Sequence, residues 1–210
     1  RSNNNDCRKR CWYDTFRLMR VLTAFTIIFF TFISLTKADD IREFSIEGFS
    51  VGDSLLDHFD ENEITKTMYP VIRGGKKYIE YHKIDSNNKS ETYDKIYLYF
   101  QTNDPKKIIQ AIAGRNYYPD NIDDCYILQK NIVKDLEQVF TEFKKEDKGK
   151  LKVSSFPDGN SYKNDVSFYF DNGSMVHTAC YDYSPQDTSS RDRLSVAIFS
   201  KKYLEWFWSL

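Results

Sequence analysis

Hydrophobic and polar positions follow several rhythms along this chain. Val21 to Thr36 (VLTAFTIIFFTFISLT) is a run of 16 residues without a charge. Ile41 to Glu47 alternates imperfectly and predicts a short strand. Ser50 stands three residues before Asp53, the spacing of a capping box, and Leu55, Leu56 and Phe59 follow at helical intervals, which predicts a helix over 51–65. Tyr69-Pro70 then ends it and Gly74-Gly75 turns the chain. Period-two alternation predicts strands over 76–84, 93–101 and 107–118, joined by SNNKS and by Asn103-Asp104-Pro105.

Asp120 opens a second helix. Cys125, Leu128, Ile132, Leu136, Val139 and Phe143 form one stripe at i, i+3 or i+4, predicting a helix over 121–146. Its end, KKEDKGK, reads as a solvated charged terminus. Strands follow at 166–170, 174–183 and 193–199. The first two are joined at Asp171-Asn172-Gly173, a strong hairpin signal. Ser200 can cap a short terminal helix carrying Trp206, Phe207 and Trp208. The order helix, three strands, helix, three strands, short helix predicts an α+β fold. Helices would lie on one face of an antiparallel sheet, and the order suggests a duplicated α-β-β-β unit with halves 39–118 and 119–210.

The apolar run near the start changes the picture of where the chain goes. Arg17 and Arg20 precede it, and Thr36-Lys37-Ala38 follows with small residues at −3 and −1 of a cut after Ala38. Those are the three parts of a secretory signal peptide over 19–38, beginning at Met19. Residues 1–18 then read as translation from upstream of the initiator. The alternative is an uncleaved inner-membrane anchor over 21–36, although 16 residues are fewer than the ~20 a spanning helix needs. Export predicts a periplasmic or secreted protein that meets the membrane only through that segment if it is retained.

Charge narrows the partners. The chain holds 30 Lys and Arg against 31 Asp and Glu. Seven of the basic residues and two of the acidic ones lie before residue 39, so residues 39–210 carry −6. A nucleic-acid binder would show a basic excess, and none is expected to bind here. Two cysteines, Cys125 and Cys180, remain after Ala38. In an oxidising compartment they predict a disulfide that encloses about 55 residues and contributes on the order of 3–4 kcal/mol. It would pin the start of the second helix to a strand.

The stretch EGFSVGDSLLDHF, residues 47–59, carries two serine-hydrolase spellings. Gly48-Phe49-Ser50-Val51-Gly52 fits the nucleophile elbow. That motif needs a sheet built before it and an oxyanion-hole loop upstream, yet only about ten residues separate Ala38 from Ser50. Gly52-Asp53-Ser54-Leu55 resembles the N-terminal block of GDSL esterases, with Ser54 as the nucleophile that resemblance implies. Those enzymes supply their base from a late D-x-x-H block. Here the late histidine is His177, and three residues before it stands Ser174 rather than an acid. Gly159-Asn160 is a weak echo of their G-x-N block, and His58 and His82 come too early. Their parallel sheet also disagrees with strands joined by tight turns. A capping box gives Ser50 and Asp53 a structural role, so no catalytic residue is expected.

Three scattered histidines argue against zinc, and Asp60, Glu61, Glu63, Asp123 and Asp124 read as helix-start charges. No cofactor is expected. Tyr97, Tyr99, Tyr181 and Tyr183 read as half-buried sheet tyrosines, with an exposed binding face as the alternative. The terminal aromatics likewise read as a helix packed on the sheet, with an interface as the alternative.

The segments ADDIREFSIEGFSVGDSLLDHF, TND, IDDCY and DNGSMVHTACYDYS are similar to a family of small exported proteins of marine alphaproteobacteria without assigned function. The resemblance spans residues 38 to about 208. It implies a helix start rather than an active site at Ser50 to Ser54. More loosely, the chain resembles outer-membrane assembly lipoproteins and β-lactamase-inhibitor-like domains, although it lacks the lipidated cysteine of the former. Such folds act by binding proteins, so the resemblance implies a partner in the envelope.

Overall fold

The computed structural model describes residues 41–73, 76–85, 92–153, 159–187 and 190–209. Ala38 and the segments read as read-through, signal and anchor lie outside the described residues. The fold is α+β. A small hairpin, β1 (Ser45–Ile46) and β2 (Phe49–Ser50), leads to α1 (Glu61–Thr67). Four strands follow: β3 (Met68–Arg73), β4 (Lys76–Asp85), β5 (Lys95–Gln101) and β6 (Ile109–Tyr117). Then come α2 (Ile122–Val139), β7 (Lys144–Lys152), β8 (Tyr162–Tyr169), β9 (Met175–Asp182), β10 (Arg193–Phe199) and α3 (Lys201–Trp208). β3 to β10 make one antiparallel eight-stranded sheet in the order β3-β4-β5-β6-β10-β9-β8-β7.

That order is a palindrome about the β6–β10 pair. Each half is one helix followed by a four-stranded meander, so the repeat is α-β-β-β-β, one strand longer per half than the alternation predicted. The two extra strands are the sheet edges. β3 contains Pro70, which no central strand tolerates because it cannot donate to a ladder. β7 is the segment KKEDKGKLK. Its lysines suit an edge, where charge discourages pairing with another chain. A strand wet on much of both faces shows no apolar alternation, so its sequence reads as a helix end.

One face of the sheet carries Ile96, Leu98, Phe100, Ile112, Val166, Phe168, Val176, Cys180, Leu194, Val196 and Ile198, all buried in a single cluster. Ile64 of α1 and Cys125 and Leu136 of α2 close over it. The prediction of helices on one face therefore holds for α1 and α2. α3 lies on the other face, where Tyr203 and Trp206 bury against Ala111, Tyr99 and Phe199, residues of opposite parity to the main core.

Local chemistry reshapes two predicted helices. The expected helix over 51–65 is divided. Glu47 and Gly48 both have positive φ (54° and 80°), which makes the tight turn between β1 and β2. Gly52 at φ +103° then breaks any helix starting at Val51. Ser50 consequently sits in β2 and caps nothing. Its N–H still donates to Asp53 Oδ2 at 2.9 Å, while Ser54 takes over as N-cap of a single 3₁₀ turn, Leu55–Asp57. The second helix ends at Val139 instead of 146. Phe140 turns extended and buries its ring against Phe170 (4.8 Å), Phe44 (5.5 Å) and Phe168 (6.2 Å), burial that outweighs continuing the helix.

Cys125 and Cys180 form a disulfide with Cα atoms 6.0 Å apart, both fully buried, which ties α2 to β9. Beside it Gln129, also buried, donates from Nε2 to the Asn164 and Thr178 carbonyls and accepts from Asn164 Nδ2, each at 3.0 Å. A helix face that carries a glutamine amid apolar neighbours is thus clamped to two strands with its amide satisfied. Among the described residues no helix is long and apolar enough to cross a membrane.

Candidate functional site

The face that α1 and α2 leave uncovered has small residues at its centre. Ala113 and Ala197 face each other across the β6–β10 pair and are buried with Tyr97. Larger side chains rise around them, leaving a cleft of about 350 Å³. Tyr99 bounds it from β5, His177 and Tyr181 from β9, Asp165 from β8, and Phe207 and Trp208 from α3. Ser200, as the sequence suggested, caps α3. Its Oγ accepts from Tyr203 N–H (3.1 Å) and donates to Gln110 Oε1 (3.1 Å), fastening the helix start to β6.

The aromatic residues continue as a connected series. Tyr97 lies 6.5 Å from Tyr99, Tyr99 meets Tyr203 at 5.6 Å, and Phe207 meets Trp208 edge-on at 5.0 Å. At the opposite end, two arginines stack on tyrosines. The Arg115 guanidinium lies 4.1 Å from the Tyr97 ring centroid, and Arg193 lies 4.6 Å from Tyr181 and 5.0 Å from Tyr183. Tyr181 and Tyr183 stack nearly parallel at 5.8 Å. All four singled-out tyrosines thus gather round two arginines that the pattern of the sequence did not single out.

Burial and charge set the ionisation here. Burial works against the charge of Arg115, yet the surrounding Tyr99, Tyr97, Tyr117 and Tyr181 outweigh it, so its pKa is raised. Tyr117 is also pushed up, first by burial and then by its hydrogen bond with Tyr97. Burial raises the Tyr183 phenol as well.

On the β8–β9 side, Asp165 is buried beneath two partners. His177 Nε2 lies 3.2 Å from Asp165 Oδ2, and the Lys163 ammonium contacts the same oxygen. Burial alone would raise this carboxyl's pKa. Hydrogen bonds and charge from His177 and Lys163 overcome that and hold it well below the usual carboxylate range. Lys163 and Asp165 fell in a predicted loop. The strand starts four residues earlier than its apolar run, so the alternation that would have turned Asp165 inward was hidden.

The two hydrolase serines are elsewhere. Ser54 Oγ donates to the Lys106 carbonyl at 2.7 Å and accepts from Leu56 N–H at 3.2 Å. It bridges to Ile108 beside Leu55, which belongs to the core under α1 and α2. Its near acid–histidine pair is Asp53 and His58, 3.7 Å apart. His177 faces the opposite side of the sheet with Asp165, and Ser54 does not line its cleft. The acidic residues read as helix-start charges sit there: Asp60 is the residue before α1 with Glu61 and Glu63 in its first turn, and Asp123 and Asp124 occupy the first turn of α2.

What the structure defines is a two-half α+β protein with an open cleft of tyrosines, arginines and a buried carboxylate on one sheet face. Comparison with protein-family models, with curated proteins and with solved structures finds no match to the chain.

Proposed function

We propose that the protein is an exported, non-enzymatic module that binds another protein, an envelope protein, through the sheet face opposite α2. The observation that carries this reading is the stacking of Arg115 and Arg193 on Tyr97, Tyr181 and Tyr183 beside an open cleft. Tyrosine, tryptophan and arginine supply most of the energy of protein interfaces, and rigid stacks lose little entropy on contact. Trp208, 70% exposed at the cleft, adds an anchor whose partner surface the chain itself does not provide. A buried disulfide supports an extracytoplasmic location, because cytosolic reductants keep such pairs reduced. Ser54, engaged by Lys106 and Leu56 as a cap, supports a non-enzymatic reading of the GDSL stretch.

The test is site-specific photocrosslinking in cells. A photoreactive phenylalanine replaces Trp208 in the cleft, or Ile127, which is 62% exposed on α2. One discrete adduct from position 208 and none from 127 is expected. Equal patterns from both positions would refute an interface on this face.

A further inference from the structure

The cleft ends in a concentration of positive charge that the rest of the chain does not share. Lys95 on β5 and Arg115 on β6 are directly opposite each other across one strand pair. Arg193 lies on the next strand, β10, opposite Tyr117 on β6. Like charges directly opposite in an antiparallel pair oppose folding. Such a pair within a chain of net charge −1 calls for a compensating group.

Arg115 lacks that group. Among the described residues it makes no ion pair with a carboxylate, and its Nε is enclosed yet has no hydrogen-bond partner. Arg193 Nε is in the same condition. An enclosed donor without an acceptor costs free energy until one arrives. Stacking on Tyr97 fixes the guanidinium plane and leaves its N–H edge for a planar acceptor, the geometry that favours a carboxylate. The acid that lines the cleft, Asp165, is already taken by His177 and Lys163.

The geometry points to an acidic, extended segment of a partner protein as the occupant of this end of the cleft, with carboxylates received by Arg115 and Arg193. This rests on the reading of the face as an interaction surface and names what that surface recognises. Three adjacent strands carry the cations, and strands are ~4.8 Å apart, so the cations spread over roughly 10 Å. A single small carboxylate spans one of them. An extended peptide places side chains i and i+2 on one side at ~6.6 Å intervals, which matches several.

The experiment follows the arginine Nε–Hε resonances of the oxidised protein by NMR, assigned by their absence in Arg115→Gln and Arg193→Gln. Hexaglutamate is titrated, with hexaglutamine and acetate as controls. Hexaglutamate should move both resonances, weaken with added salt, and bind at least tenfold more tightly than acetate per carboxylate. Arg115→Gln should lower its affinity at least tenfold and Lys134→Gln, on α2, less than twofold. Arg115→Lys keeps the charge without the fork and should fall between. Equal binding by wild type and Arg115→Gln, equal binding of hexaglutamine, or acetate matching the peptide would overturn the inference. Repeating the position-208 crosslink in Arg115→Gln separates the two claims. An adduct that persists leaves the interface standing and removes acidic recognition. A wild type that yields no adduct from 208 removes the interface itself.

Discussion

His177 on β9 sets Nε2 3.2 Å from Oδ2 of Asp165 on the neighbouring strand β8, under the same sheet face that carries Arg115. The acid that orients the late histidine therefore comes from across the sheet. It does not come from the position three residues earlier, where a GDSL enzyme would keep it.

Asp165 is a stability group with a defined pH window. Its folded pKa is depressed, so its contribution is present above the unfolded value of ~3.9 and is lost as pH falls through the folded value. Asp165→Asn should cost about 2 kcal/mol at pH 7, since it removes a charged acceptor from two donors. Urea unfolding at pH 7 and at pH 3 checks this. The difference between the proteins should shrink at the lower pH, and a constant difference would show that Asp165 acts through packing alone.

The Cys125–Cys180 bond closes a loop of 55 residues between α2 and β9. Loop entropy assigns it about 4 kcal/mol. The double change Cys125→Ala/Cys180→Ala should lower the denaturant midpoint accordingly without a change of fold by circular dichroism. Titration of unfolded, unreduced residues 39–210 should find no free thiol at these positions.

Gly114 is held by a close approach rather than by a turn. A Cβ there would meet the Tyr93 ring at 2.6 Å. Gly114→Ala should destabilise by about 1–3 kcal/mol through overpacking. In the Tyr93→Ala background the same change should cost much less, and thermal unfolding of the four proteins measures that coupling.

Ser54→Ala removes the cap of the 3₁₀ turn and the bond to the Lys106 carbonyl. The expected cost is about 1 kcal/mol. Hydrolysis of a short-chain ester should stay at the buffer rate in both proteins. Hydrolysis by wild type that vanishes in Ser54→Ala would overturn the non-enzymatic reading.

Tyr126 on α2 lies 3.4 Å from Asp182 Oδ2, and its pKa is pushed up to about 12 by burial first and by that carboxylate second. A raised folded pKa stabilises below the unfolded value of ~10 and fades as pH rises through the folded one. Tyr126→Phe should therefore flatten the loss of stability between pH 10 and 12, as read by denaturant titration across that window.

Much of the fold could be read from the chain, and each failure has a physical cause. The strands at 76–84, 93–101 and 193–199, the long helix and the Asp171-Asn172-Gly173 turn followed from alternation, stripe and turn chemistry, all local properties. The cysteine pair followed from counting. The strands β3 and β7 did not show themselves, because an edge strand needs only one neighbour and can carry Pro70 or five lysines. Gly52 broke the first predicted helix, since a glycine at positive φ can dissolve a capping pattern that spacing alone satisfies.

The site was the least legible part. The tyrosines at 97, 99, 181 and 183 could be singled out from alternation, but nothing local joined them to Arg115, Arg193 or Asp165. By itself the sequence determined the α+β class, the rhythm of most elements and the acidic balance of residues 39–210, because periodicity and charge are properties of neighbours along the chain. Only the tertiary structure decided that β6 pairs with β10, so that two meanders become one sheet. It also decided that α3 crosses to the far face and that two arginines stack there on tyrosines from three strands. Those facts depend on which surfaces meet, and side chains some 60–90 residues apart carry no sign of it until the sheet closes.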